Sequence, residues 1–112
     1  MVQAESYVKS AVAPGSHRDP TVVKFAQQFI GQVQPGFALP IKCDSEDEAK
    51  WIAGGMRMAL RGLFTDDARR SQNVTVRVEL DRGDKSRVLV HKFPGYRPPV
   101  KRPRRETAAA SA

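Results

Sequence analysis

The sequence NVTVRVELDRGDKSRVLVHKF, residues 73–93, has the pattern of two β-strands joined by a polar turn, and the rest of the domain is predicted around it. From Asn73 to Leu80 apolar and polar side chains alternate, which is the pattern of a strand with one buried face. Residues 81–86 are rich in Asp, Gly and Ser, which favour turns, and residues 87–93 return as a second strand. The stretch therefore predicts a β-hairpin.

Two registers are open for this hairpin, and they bury different faces of the second strand. A turn with an even number of residues pairs Val74 with Phe93 and buries His91. A turn with an odd number pairs Val76 with Val90 instead. We favour the even turn because it places Phe93 in the core.

A helix is predicted immediately upstream, in EDEAKWIAGGMRMALRGLF, residues 46–64. Ser45 followed by Glu48 is a capping box, in which each side chain bonds to a backbone N–H of the first turn. Helical spacing places an apolar stripe toward the core: Ala49, Ile52, Met56, Ala59, Leu60 and Leu63. The opposite side carries a basic ridge with a glycine notch: Lys50, Gly54, Arg57 and Arg61.

The adjacent glycines Gly54 and Gly55 are costly in a helix interior, by about 1 kcal/mol each relative to alanine. Such a cost indicates that something approaches the helix backbone closely. We favour another element of the same chain over a binding partner. Beyond this helix, Thr65 is positioned to cap one further turn before the hairpin.

An earlier helix begins at Asp19-Pro20, an N-cap followed by proline at the first helical position, and ends at Pro35-Gly36. Its apolar positions share one face: Val22, Phe25, Ala26, Phe29, Ile30 and Val33. Residues 37–43 form a short apolar run in which Pro40 indicates an edge strand.

Together these elements predict an α+β domain over residues 19–97, in the order helix, edge strand, helix, β-hairpin, with two helices packed on a small antiparallel sheet. Residues 1–18 contain the Pro14-Gly15-Ser16 run and few anchoring residues, so we predict a flexible arm. Residues 98–112 are rich in proline and positive charge and predict a disordered basic tail.

Charge is distributed very unevenly along the chain. The net charge is +7, and 15 of the 19 Lys and Arg residues follow Asp47. A field of this kind attracts polyanions such as nucleic acid or an acidic protein surface. No stretch approaches the length of a membrane span, so we expect no membrane partner.

Catalytic and metal-binding patterns are weak in this sequence. Cys43 precedes a helix N-terminus, which favours a lower thiol pKa, but neither His17 nor His91 stands in a nucleophile signature with it. Acidic residues near the hairpin are accounted for by turn chemistry and cross-strand pairing, and no phosphate-binding glycine loop is present. We therefore predict a protein that is not an enzyme, with no cofactor and no metal.

The basic residues of the second half converge on nucleic-acid binding through phosphate contacts. The candidate contacts lie on the helix ridge, the segment before the hairpin, the hairpin and the tail: Lys50, Arg57, Arg61, Arg69, Arg70, Arg77, Arg82, Lys85, Arg87, Lys92, Arg97, Lys101, Arg102, Arg104 and Arg105. Trp51 and Tyr96 are candidates for stacking on unpaired bases, and Trp51 is also typical of a core-edge anchor.

LPIKCDSEDEAKWIAGGMRMALRGL, followed by VTVRVEL and RVLVHKFP, resembles the small Arg-rich accessory proteins of actinobacteria and their phages. The resemblance implies a non-enzymatic role in the cytoplasm, or in the virion if the protein is phage-encoded, and transfers no site residue. We predict a nucleic-acid-binding accessory protein whose partner is DNA or RNA. The alternative is a protein-interaction or virion assembly component that self-assembles or binds an acidic protein surface, with its tail on that partner or on packaged DNA.

Overall fold

The computed structural model describes residues 5–98, which form three helices and a four-stranded mixed sheet. The elements are β1 (Glu5–Ser6), α1 (Pro20–Gln32), β2 (Phe37–Lys42), α2 (Glu46–Leu63), α3 (Asp66–Gln72), β3 (Val74–Leu80) and β4 (Arg87–Pro94). The strand order is β1-β2-β4-β3, with β1 parallel to β2 and the other pairs antiparallel. The α+β class is confirmed, but the predicted order lacked β1 and treated α3 as a single turn. The predicted tail lies outside the described residues, except for Pro98.

The N-terminal segment is packed against the domain, so the expectation that little anchors it is wrong for the described residues 5–18. β1 pairs with Ile41 and Lys42, which also means that β2 is flanked on both sides rather than being an edge strand. The Tyr7 ring is buried, and its hydroxyl donates a hydrogen bond to Asp19. These contacts join residues 12 or more positions apart, beyond the reach of a local pattern.

Asp19 caps α1 as predicted, and it also holds the N-terminal segment in place. One carboxylate oxygen accepts from the backbone N–H of Thr21 at 2.9 Å, and the other accepts from Gly15 N–H at 2.8 Å and from Tyr7. Burial alone would raise the pKa of this carboxyl, but the donors outweigh it and hold the pKa below its ordinary value. Asp19 is therefore a buried anion balanced by hydrogen bonds.

The capping box of α2 is present, but the bond made by the Glu48 side chain is shifted by one residue. The Ser45 hydroxyl accepts from Glu48 N–H at 3.1 Å, as predicted. The Glu48 carboxylate accepts from Asp44 N–H at 2.9 Å rather than from that of Ser45. The predicted apolar stripe of α2 is buried except at Leu63, which is 47% exposed in the last turn of the helix.

Gly55 is the site of a close approach between α2 and the N-terminal segment. A β-carbon at Gly55 would overlap the carbonyl oxygen of Gly15, whereas one at Gly54 would meet nothing within 4 Å. Gly15 itself has φ of +79°, a conformation that glycine adopts most easily. The predicted close packing of another element is thus found at Gly55, and Gly54 faces open space.

The hairpin has a different register from the one we favoured. Val78 lies opposite Val90, and Val76 lies opposite Lys92. The turn closes between residues 81 and 87, which leaves an odd number of residues, 82–86. The odd-turn alternative therefore places the correct side chains on each face, but its pairing of Val76 with Val90 is wrong by two residues, because Val76 lies opposite Lys92. Phe93 is 42% exposed, while Lys92 is buried.

All three helices lie on one face of the sheet, and the core is the layer between them. The sheet contributes aliphatic side chains from β2, β3 and β4: Leu39, Ile41, Val74, Val78, Val88 and Val90. Phe29 of α1 and Phe64, which follows α2, meet edge to face at 6.4 Å. Among residues 5–98, no helix covers the opposite, outer face of the sheet.

Candidate nucleic-acid interface

Lys92, one of the predicted contacts, serves the fold instead. It is 3% exposed, and its ammonium donates to the carbonyl oxygens of Phe29, Ile30 and Val33 at 3.0, 3.2 and 2.6 Å. These are the last carbonyls of α1, so a cation placed there also offsets the negative end of the helix dipole. Burial lowers the pKa of Lys92. The structure removes Lys92 from the candidate contacts.

Arg69, another predicted contact, likewise bonds to the carbonyl oxygens at the end of a helix, here α2. Its guanidinium donates to the carbonyl oxygens of Phe64 at 2.8 Å and Leu60 at 3.3 Å, and it lies over the Phe64 ring. Burial lowers the pKa of Arg69, and the like charge of Arg61 lowers it further, while Asp66 opposes them. Arg69 is a helix cap with one side on the surface.

Three other predicted contacts are paired with acids on the surface. Lys50 lies 3.2 Å from Glu46, Arg70 lies 3.1 Å from Asp66, and Arg87 lies 3.5 Å from Asp81. Exposed pairs of this kind contribute only about 0–1 kcal/mol each, so a phosphate can compete for these side chains.

A second set of arginines forms a continuous surface along β3, which we call the basic band: Arg57, Arg61, Arg77 and Arg97. Arg57, Arg61 and Arg77 line a groove of about 570 Å³ between α2 and β3, together with Arg69. Arg77 and Arg97 line a neighbouring groove of about 540 Å³ beside β4. Arg77 belongs to both grooves and joins them.

The basic band has a marked local excess of positive charge. Among residues 5–98, Arg57, Arg61 and Arg97 form no ion pair within 4.0 Å, and Arg77 lies 3.5 Å from Glu79. Arg57 donates to the carbonyl oxygen of Val78 at 3.0 Å, which holds its guanidinium against the strand. Like charges held together in this way bind a multivalent anion more favourably than scattered charges do.

The hairpin turn presents two further exposed cations, Arg82 and Lys85. Asp81 accepts from Gly83 N–H at 2.9 Å, and Asp84 accepts from Ser86 N–H at 3.1 Å, so both acids shape the turn. Turn chemistry therefore accounts for these acids, as predicted.

The outer face of the sheet carries an aromatic pair that we predicted to lie in the core. The rings of His91 and Phe93 are stacked, with centroids 5.3 Å apart and planes 10° from parallel. Glu79 bonds to His91 Nε2 at 2.8 Å, which fixes the imidazole. Phe93 lines the same groove as Arg77 and Arg97. Correct register was the only signal that would have revealed this pair.

The two aromatic residues predicted for base stacking are placed differently. Trp51 is 64% exposed on α2, so it is not buried at the core edge. The Tyr96 hydroxyl donates to Asp66 at 2.7 Å, and Arg70 lies 5.6 Å from the centre of its ring. Tyr96 is therefore occupied in joining the chain after β4 to α3.

The residues considered for chemistry are not arranged as a reactive site. Cys43 is buried, and burial, followed by the charges of Glu48 and Asp44, raises the pKa of its thiol to about 12. The expected lowering by the helix N-terminus is thus wrong, and the thiol stays protonated at neutral pH. Within residues 5–98 no three His, Cys, Asp or Glu side chains are grouped as a metal site. Lys101, Arg102, Arg104 and Arg105 lie outside the described residues.

No family model, curated protein or solved structure matches this chain. None of the helices in residues 5–98 has the length and apolar character needed to cross a membrane.

Proposed function

We propose that the protein is a non-enzymatic nucleic-acid-binding protein that contacts phosphates through the basic band. The observation that carries the proposal is the joining of two grooves by Arg77, with Arg57, Arg61 and Arg97 free of ion pairs among residues 5–98. Guanidinium groups donate to phosphate oxygens in a bidentate manner, and a row of them matches a row of phosphates. The proposal includes a cytoplasmic or virion location.

The floor of the larger groove suits a polymer backbone better than a small polar ligand. It consists of apolar side chains, Leu60, Phe64, Val76 and Val78, below the arginines. Asp66 is the one acid that lines it among the described residues, and Asp66 is bonded to Arg70 and Tyr96. Sugar carbons can contact the partly exposed Val76 while phosphates contact the arginines, and Leu60 and Phe64, each 1% exposed, close the groove from below.

Fluorescence anisotropy with labelled single-stranded DNA, duplex DNA and RNA tests the proposal directly. Binding that is strong at low salt and falls steeply as salt rises is the expected result, because phosphate contacts release condensed counterions. Absence of binding to all three at low salt would show that the proposal is wrong.

A second candidate function, assembly with another protein, is favoured by the outer edge of β3. Asp81 N–H donates to Arg87 and Gly95 N–H donates to Asn73, so the odd-numbered residues of β3 bond to β4. The backbone groups of the even-numbered residues consequently point outward, and of these the Val78 carbonyl oxygen already accepts from Arg57. Such an edge can accept another strand.

Charge weighs against self-assembly at this edge. Two copies paired through β3 would bring their basic bands together, which is repulsive, so an acidic partner is the stronger form of this candidate. Light scattering of the protein without nucleic acid tests self-assembly, and the anisotropy titration separates the remaining candidates. A monomer that binds the nucleic-acid probes at low salt favours nucleic-acid binding, a monomer that binds none of them favours an acidic protein partner, and a stable oligomer favours self-assembly.

A further inference from the structure

We propose that the outer sheet face binds unpaired bases, so that the preferred nucleic acid is single-stranded. This inference rests on the proposed function and adds its substrate class. The feature that carries it is the stacked pair of His91 and Phe93 on a face that no helix covers among residues 5–98.

The register of the sheet brings the aromatic pair and the basic band together. Arg77 lies directly opposite His91, and Thr75 lies directly opposite Phe93. The Thr75 hydroxyl accepts from Arg97 N–H at 3.1 Å, which places the start of the Arg97 segment at the same position. Arg77 therefore lies on the strand beside His91, and Arg97, in the segment after β4, lines the same groove as Phe93.

Strand β2, which flanks β4 on the side opposite β3, leaves room for a base beside the aromatic pair. Ala38 of β2 lies opposite His91, and Pro40 lies opposite Leu89. These side chains are small or compact and lie on the outer face, since their neighbours Leu39 and Ile41 are buried in the core. The surface around His91 is consequently low and partly apolar, which suits a flat ring.

Stacking on this face requires a base that is not already stacked in a duplex. A single strand offers each base face at little cost, and base–aromatic stacking is tolerant of sequence. In a duplex the bases are already stacked, so only the phosphates are available, and the basic band can contact these as well as it contacts the phosphates of a single strand. The expected preference is thus for single strands, with little dependence on base identity.

The decisive probes are a twelve-nucleotide oligothymidine, an abasic strand of the same length and a twelve-base-pair duplex, each measured by anisotropy. Wild-type protein is expected to bind oligothymidine more tightly than the abasic strand, which has the same phosphates without bases. In Phe93→Ala this advantage is expected to fall by about 5- to 150-fold, the range for one lost stack. Duplex and abasic affinities are expected to stay unchanged.

Three further variants make the result specific. Phe93→Tyr keeps an aromatic ring and is expected to retain the preference, whereas Phe93→Leu keeps apolar volume and is expected to lose it. Trp51→Ala removes a more exposed aromatic residue, on α2, which is the competing stacking candidate from the sequence, and is expected to retain the preference. Circular dichroism of each variant checks that the fold is retained, which is expected because Phe93 is not in the core.

The outcomes separate this inference from the proposed function. Equal affinity of wild-type protein for oligothymidine and the abasic strand, or loss of the preference in Trp51→Ala rather than Phe93→Ala, would overturn the inference and leave the basic band in place. Failure of wild-type protein to bind any of the three probes would overturn both.

Discussion

Adding one methyl group at either of two neighbouring glycines tests how the N-terminal segment packs on α2. Gly55→Ala would overlap the Gly15 carbonyl, and the atoms on both sides are backbone, so no flexible side chain can move aside. Overpacking of this kind costs up to about 3 kcal/mol. The gain in helix propensity returns about 1 kcal/mol, so we expect a net loss of about 2 kcal/mol.

Gly54→Ala is the matched control, because the same methyl group enters open space. It is expected to stabilise the protein by about 1 kcal/mol through helix propensity alone. The two variants should therefore differ by about 3 kcal/mol in the free energy of unfolding.

Thermal unfolding followed by circular dichroism measures this difference. At about 4 °C per kcal/mol, the Tm should fall by roughly 8 °C in Gly55→Ala and rise by roughly 4 °C in Gly54→Ala. A Tm for Gly55→Ala at or above that of the wild type would refute the packing of Gly15 on α2. The N-terminal segment would then be held by the pairing of β1 with β2 and by the Tyr7 hydrogen bond to Asp19, without a contact to α2 at Gly15.

Two further predictions concern buried polar groups. Lys92→Met removes the hydrogen bonds from the ammonium to Phe29, Ile30 and Val33, and of these carbonyl oxygens that of Phe29 keeps a bond from Val33 N–H. We expect this variant to lower the free energy of unfolding by about 2–4 kcal/mol in urea titrations. Lys85→Met, at an exposed turn position, is expected to change it by less than about 0.5 kcal/mol. Burial, followed by the hydrogen bond to Asp19, raises the pKa of Tyr7 from 10.0 to about 12. The contribution of the protonated Tyr7 hydroxyl to the free energy of unfolding is therefore complete below pH 10 and is lost as the pH rises toward 12. This loss amounts to about 2–3 kcal/mol. Above pH 10 the free energy of unfolding should therefore fall less steeply with pH in Tyr7→Phe than in the wild type. The same pH dependence in both proteins would contradict the assignment.

Local signals in the sequence predicted the helices well. The caps at Asp19 and Ser45 and the apolar faces of α1 and α2 depend on residues within a few positions of each other, and the structure has them. Leu63 is the exception in α2, because a residue in the last turn extends past the core that the stripe covers.

The hairpin register could not be predicted from the sequence, for a physical reason. Hydrophobicity alone favours burying Phe93 rather than Lys92 in the core. The ammonium of Lys92 is nevertheless buried, because it donates to three carbonyl oxygens at the end of α1, about 60 positions away. Only the tertiary structure brings that helix end to β4. The same register places Arg77 and Phe93 on one surface, so the candidate site could not be assembled from the sequence either.

The anchoring of residues 5–18 was hidden in the same way. Tyr7 looked isolated in a polar segment, and its partner Asp19 was already assigned as a helix cap. One carboxylate performs both tasks because its two oxygens point in different directions. By contrast, the close approach at Gly55 was signalled by the sequence, since adjacent glycines in a helix interior need a compensating contact.

We propose that nucleic acid binds at the basic band and not merely to a positively charged protein. The salt dependence of single-stranded DNA binding in two charge-matched double variants tests this proposal. Arg61→Ala with Arg77→Ala removes two charges from the basic band, and Lys9→Ala with Lys24→Ala removes two exposed charges from the N-terminal segment and α1. We expect the slope of log affinity against log salt concentration to fall by about 1.4 in the first variant, or about 0.7 per lost phosphate contact, and to stay unchanged in the second. Equal changes in both variants would contradict the proposal.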